Sequence, residues 1–191
     1  MKNRIIKAFG NEKLEHWENI TYSQIHVIDL MRRTNNAQSI AIYDAQPEGI
    51  ATLLIENPNL DITATCFKPQ CFQNEQKKEI KSCEGVFYLS NSTKETWVLF
   101  IEIKDCNVGN ISEYFKDAKK QIINTVRIFR DKNVITENKI VYANVSFPRA
   151  CKMNFFNHFI KNPEQKKFRD DHKIMIKGTN KLKIINNKAI S

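Results

Sequence analysis

Apolar positions along the chain recur with two different periods, and the change of period outlines the elements. Residues 83–106, CEGVFYLSNSTKETWVLFIEIKDC, hold two apolar runs on either side of a polar turn, the pattern of an antiparallel hairpin. From about residue 111 to 130 the period changes. Ile111, Tyr114, Phe115, Ala118, Ile122, Val126 and Phe129 recur at three- and four-residue steps, which marks a helix with one face laid on a sheet. Asn110 or Ser112 is placed to cap its start. Residues 139–148 return to strand-forming residues and stop at Pro148. The passage 97–104, 111–130, 139–147 therefore predicts a crossover unit, with the last strand parallel to the second hairpin strand.

The flanking segments are shorter. Residues 39–45 and 60–67 read as strands, the second by clear alternation. Residues 12–33 read as helical in part, on the apolar set Leu14, Trp17, Ile25, Ile28, Leu30 and Met31, with a break near Ile20 to Tyr22. Residues 47–57 fit either a short helix with Pro47 in its first turn or a strand. Residues 73–81 are polar and charged. Residues 152–162 predict a short helix, Pro163 opens another, and 172–187 predict two short strands around Gly178, Thr179 and Asn180. No segment repeats another. The expected class is α/β, a central mixed β-sheet flanked by helices. The 191 residues suit one domain, 1–191, with a core of about 60–148 and a basic C-terminal extension over 149–191.

The hairpin carries charges where its neighbours are apolar. With the turn centred on Thr93, Leu89 faces Trp97, Tyr88 faces Val98, Phe87 faces Leu99, Val86 faces Phe100 and Gly85 faces Ile101. The same register sets Glu84 opposite Glu102, with Cβ atoms about 4.5–5.5 Å apart. Alternation puts Glu84, Glu102 and Lys104 on one face with Val86, Tyr88, Val98 and Phe100. Like charges directly opposite are destabilising, and burying carboxylates costs several kcal/mol unless they are paired. A divalent cation between them reverses the sign of that interaction. A shifted register, or a surface ion pair between Lys104 and one Glu, is the plainer alternative.

Composition narrows the picture. Hydrophobic residues are 41% and charged residues 27%, so a sizeable core is expected. The N-terminal stretch lacks the apolar run of a secretory signal, and no stretch approaches a membrane span. The five Cys (66, 71, 83, 106 and 151) include one close pair, Cys66 and Cys71, with no second pair beside it. Reduced thiols and a cytoplasmic location are the expectation. The four His have no metal-ligand spacing, and five Gly form no phosphate loop. The net charge of +9 is uneven: residues 164–191 hold eight Lys/Arg against three Asp/Glu. Such an end favours polyanionic partners, although solubility alone would also account for it.

The acid at a strand start (CEG), the FIEIKDC strand end and the helix YFKDAKKQIINTVRIF together resemble the core of the PD-(D/E)XK nuclease superfamily over about residues 80–147. The resemblance implies a restriction-endonuclease-like core and a metal-dependent nuclease acting on DNA, in restriction, defence or DNA processing. It makes Glu84, Glu102 and Lys104 catalytic. Mg²⁺ or Mn²⁺ would be held by Glu84, Glu102 and the backbone carbonyl of Ile103. Glu84 stands where the family usually has Asp, and Cys83 where it has Pro. Gln121, Glu79 and Glu56 are the accessory positions that the resemblance offers. Lys119 and Lys120 on the following helix, and Lys177, Lys181 and Lys183 near the C-terminus, are candidate contacts to nucleic acid. A homodimer or a protein partner remains open, a membrane partner is not expected, and the alternative function is an inactive nuclease-like module that binds nucleic acid or protein.

Overall fold

The computed structural model describes residues 1–30, 40–104, 106, 110–150 and 162–191. Its elements in chain order are α1 (Lys2–Phe9), a 3-10 turn (Asn11–Lys13), β1 (Leu14–Ile20), β2 (Gln24–Asp29), β3 (Ile40–Tyr43), β4 (Leu53–Glu56) and β5 (Ile62–Phe67). There follow β6 (Gly85–Leu89), β7 (Val98–Ile103), α2 (Ile111–Asp131), β8 (Val141–Ser146), α3 (Asn162–His172), β9 (Ile174–Gly178) and β10 (Lys181–Lys183). The molecule is mixed α/β, with two mixed sheets. Six strands run in the order β1-β5-β6-β7-β8-β9, and four in the order β10-β4-β2-β3. Among the described residues, no helix is long and apolar enough to cross a membrane.

Alternation along the central strands explains the three layers. Val86, Tyr88, Val98 and Phe100 point to one face, where Ile5 and Phe9 of α1, the buried stripe of α2 and the half-buried Phe168 of α3 pack on them. Phe129 gathers this core, with ring centroids 5.3 Å from Phe9, 5.8 Å from Phe67 and 5.2 Å from Phe100. The alternate residues Phe87, Leu99, Ile101 and Ile103 point the other way, onto Ile25, Val27, Ile40, Ile42, Leu53 and Ile55 of the smaller sheet. Helices therefore cover one face of the six-stranded sheet. The second face, also expected to carry helices, carries the four-stranded sheet.

The crossover unit forms as expected, with β7 and β8 parallel. Within the segment read as partly helical, residues 14–29 form no helix. They give β1, paired with β5, and β2, paired with β3 and β4. β2 is buried on both faces over Ile25–Ile28, and a short apolar run buried on both sides has no diagnostic period. The break near Ile20 is a bulge, where the register shifts between Trp17 and Ile20 and Asn19 takes φ 56°, a conformation Asn tolerates. Within 47–57 the strand prevails as β4, after a turn closed by the Ile50 N–H on the Pro47 carbonyl. The helix α1 carries too little apolar pattern to announce itself, and it stops at Gly10, φ 84°. The helix expected over 152–162 lies, except for residue 162, outside the described residues.

The C-terminal strands form as expected but do not pair with each other. β9 joins β8 and β10 joins β4, both in parallel. Asn180 sits at the crossing. Its Oδ1 accepts from the Ser146 hydroxyl and the Phe147 N–H, both at 2.8 Å, and its carbonyl accepts from the Leu54 N–H at 2.9 Å. The segment expected as an extension thus supplies one strand to each sheet.

Candidate functional site

The β6–β7 register pairs Gly85 with Ile101, Val86 with Phe100, Phe87 with Leu99 and Tyr88 with Val98, as the side-chain pattern implied. One step beyond, Glu84 meets Glu102. The Glu84 N–H donates to the Ile101 carbonyl at 3.2 Å and to Glu102 Oε2 at 3.1 Å. The Ile103 N–H donates back to Glu84 Oε2 at 3.2 Å. β6 does not continue before Gly85, because the Cys83 N–H is taken by the Thr125 hydroxyl of α2 at 2.9 Å. The Glu84 carboxylate thus supplies the acceptor that a longer strand would have offered to Ile103. Glu102 is fully buried and Glu84 is buried. Lys104 Nζ lies 2.5 Å from Glu102 Oε1.

Burial dominates the electrostatics. It pushes the Glu102 carboxyl up to about 7 in spite of Lys104, which pulls the other way. It pushes Glu84 well above the carboxylate range, with Glu102 and then Asp29 adding repulsion. For Lys104, burial alone favours the neutral amine, but Glu102, Glu84 and Asp29 together hold the ammonium above its ordinary value.

Asp29 is the residue that the sequence did not nominate. It closes β2 in the four-stranded sheet, paired with Ile40, and its charge acts on Glu84, Glu102 and Lys104 alike. The signal available was an acid ending an apolar strand, QIHVID, much as FIEIKD ends β7. The helical reading of 12–33 hid it. Gly85 lets β6 run close to β5 at this point: a Cβ there would stand 3.1 Å from the Thr65 carbonyl oxygen, with Ile40 Cδ1 of the second sheet at 3.4 Å.

The other candidate positions fall elsewhere. Gln121 donates from Nε2 to the Ser82 carbonyl at 3.0 Å, so it holds the segment leading into Glu84. Glu79 accepts from the Gln70 N–H at 2.8 Å and closes a turn. Glu56 pairs with Lys181 at 2.7 Å and lies opposite Gln24 at the far end of β2, roughly 16 Å of strand from Asp29. Lys119 lies over the Phe115 ring at 5.3 Å, and Lys120 is 3.6 Å from Asp117. Lys177 is in β9 in register with Asn144, two strands from β7, and burial lowers its pKa. Lys181 and Lys183 stand on β10 at the edge of the other sheet, so these three lysines form no common hairpin.

Glu84 and Glu102, with Asp29 acting on both, gather carboxyl oxygens at one place, the donor chemistry a hard divalent cation takes when it displaces their protons. Among the described residues, no three His, Cys, Asp or Glu side chains stand together as a ready-made metal cluster. The four described cysteines, Cys66, Cys71, Cys83 and Cys106, are buried and form no disulfide among the described residues. Burial pushes the Cys71 thiol up to about 12, far from a thiolate ligand or nucleophile. No family model, curated protein or solved structure matches the chain.

Proposed function

We propose that the protein is a Mg²⁺- or Mn²⁺-dependent nuclease that hydrolyses phosphodiester bonds in DNA, with a restriction-endonuclease-like core around β6, β7, α2 and β8. The observation that carries the reading is the buried pair Glu84 and Glu102, facing each other at the end of the β6–β7 ladder with Lys104 just past the end of β7. A structural role rarely calls for two opposed buried carboxylates, because they cost stability. Glu84, Glu102 and the Ile103 carbonyl would hold the cation, with Asp29 adding charge from the second sheet. When bound, a divalent cation sets positive charge against phosphate oxygens and acidifies water. The Lys104 ammonium orients the attacking water and offsets the negative charge that grows on the phosphate. Gln121 and Thr125 are positioning residues, since they fix the segment that carries Glu84.

Cleavage of plasmid or single-stranded DNA is expected with Mg²⁺ or Mn²⁺. EDTA should abolish it, and Lys104→Ala should lower it by 10²-fold or more, about the effect of losing one charge-stabilising group. Equal behaviour of wild type and Lys104→Ala across metals and substrates would reject the enzyme. A second reading, an inactive module that binds nucleic acid or a protein, draws on the hydrogen bonds already taken by the carboxylates. Glu84 Oε2 and Glu102 Oε2 accept backbone N–H groups, and Glu102 Oε1 faces Lys104. DNA binding without cleavage would select it.

A further inference from the structure

We propose that the cleft between Lys81 and the middle of α2 seats a backbone phosphate of the DNA strand, beside the position where hydrolysis occurs; this deepens the nuclease reading and rests on it. The cleft measures about 330 Å³ and is lined by Lys81, Asp117, Lys120, Gln121 and Asn124. All five side chains end in polar groups. The cleft owes its shape to two hydrogen bonds. Gln121 donates to the Ser82 carbonyl at 3.0 Å, and Asn124 donates to the Lys81 carbonyl at 3.3 Å. These hold the chain just ahead of Glu84 against the helix and leave Lys81 exposed at the mouth.

Lys120 is also exposed. Its 3.6 Å pair with Asp117 has side chains 76% and 55% accessible, so giving it up costs little. A phosphate in the cleft would gain two ammonium groups against one carboxylate. Position also matters. Lys81 stands three positions before Glu84, a reach of at most about 10 Å. That is roughly three steps at the 3.4 Å rise of one DNA strand. Lys116, exposed one turn before Lys120, extends the positive charge along the same helix face. Lysine contacts of this kind position a strand without reading its bases.

The test uses the full chain in EDTA, where hydrolysis is silent, with a labelled single-stranded DNA oligonucleotide followed by fluorescence anisotropy across salt concentrations. The double variant Lys81→Ala/Lys120→Ala should weaken binding about tenfold or more. It should also flatten the slope of log K against log salt by about 0.7, the value for one phosphate on a single strand. The pair Lys181→Ala/Lys183→Ala, on the other sheet, should change neither. Unchanged affinity and slope in the first variant, equal losses in both, or no binding by the wild type at low salt would each overturn the subsite. Binding that depends on Lys81 and Lys120 without any cleavage in Mg²⁺ upholds the subsite and rejects the nuclease. Cleavage whose DNA binding ignores both lysines does the reverse.

Discussion

Glu102 ties the stability of the fold to one proton. Below about pH 4.5 it is protonated in both the folded and the unfolded chain. Between there and about pH 7 the unfolded chain loses the proton first, so the folded state binds more protons and its stability falls as pH rises. The loss is on the order of 3 kcal/mol, complete above about 7. Glu84, also raised by burial, adds to it in the same direction. Glu102→Gln should remove most of this slope in urea unfolding measured from pH 4 to 8. A cation held by the proposed site would compete with the same proton. Mn²⁺ is therefore expected to raise Tm more at pH 8 than at pH 5, by about 2–4 °C for each kcal/mol of binding energy. Asp29→Asn should reduce that shift, and equal shifts at both pH values would argue against a cation among these carboxylates.

At the scale of elements, the site depends on where β6 stops. α2 grips residues 81–83 with three side chains: Asn124 on the Lys81 carbonyl, Gln121 on the Ser82 carbonyl and Thr125 on the Cys83 N–H. The Thr125 hydroxyl in turn donates to the Gln121 carbonyl at 2.8 Å. Glu84 is thereby left at the first position where its carboxylate can take the Ile103 N–H. Gly85 meets the opposite demand, since the Thr65 carbonyl of the adjacent strand β5 leaves little room for a side chain. Gly85→Ala should cost about 1–3 kcal/mol through overpacking. Because Gly85 directly follows Glu84, a shift away from the Thr65 carbonyl should also weaken Mn²⁺ binding. Chemical denaturation and Mn²⁺ titration of the variant check the two effects separately.

At the scale of the whole molecule, both sheets depend on the C-terminal residues. Leu182, Ile184 and Ile190 are buried between the sheets, and the indole N–H of Trp97 donates to the Asn186 carbonyl at 3.0 Å. Each buried aliphatic side chain contributes about 1.5–3 kcal/mol. Truncation after Gly178 should therefore remove enough burial to unfold a domain of ordinary stability. Circular dichroism of the truncated chain checks this, and a cooperative melt at the full-length temperature would contradict it.

Much of the hairpin, its register and the opposition of Glu84 and Glu102 were legible in the sequence, because they rest on local alternation and short-range pairing. The helix after β7 and its parallel partner strand followed from the change of period and from the handed crossover. Asp29 was not legible. It reaches the carboxylates only because a separate four-stranded sheet packs on the face opposite the helices, and no periodicity within β2 tells which sheet will receive it. The same holds for β9 and β10, adjacent in the chain yet divided between two sheets by the hydrogen bonds of Asn180. Local pattern determined the paired acids and their lysine. Packing between layers alone decided the third acid and which lysines lie beside the site, because those contacts join segments whose own sequences are indifferent to one another.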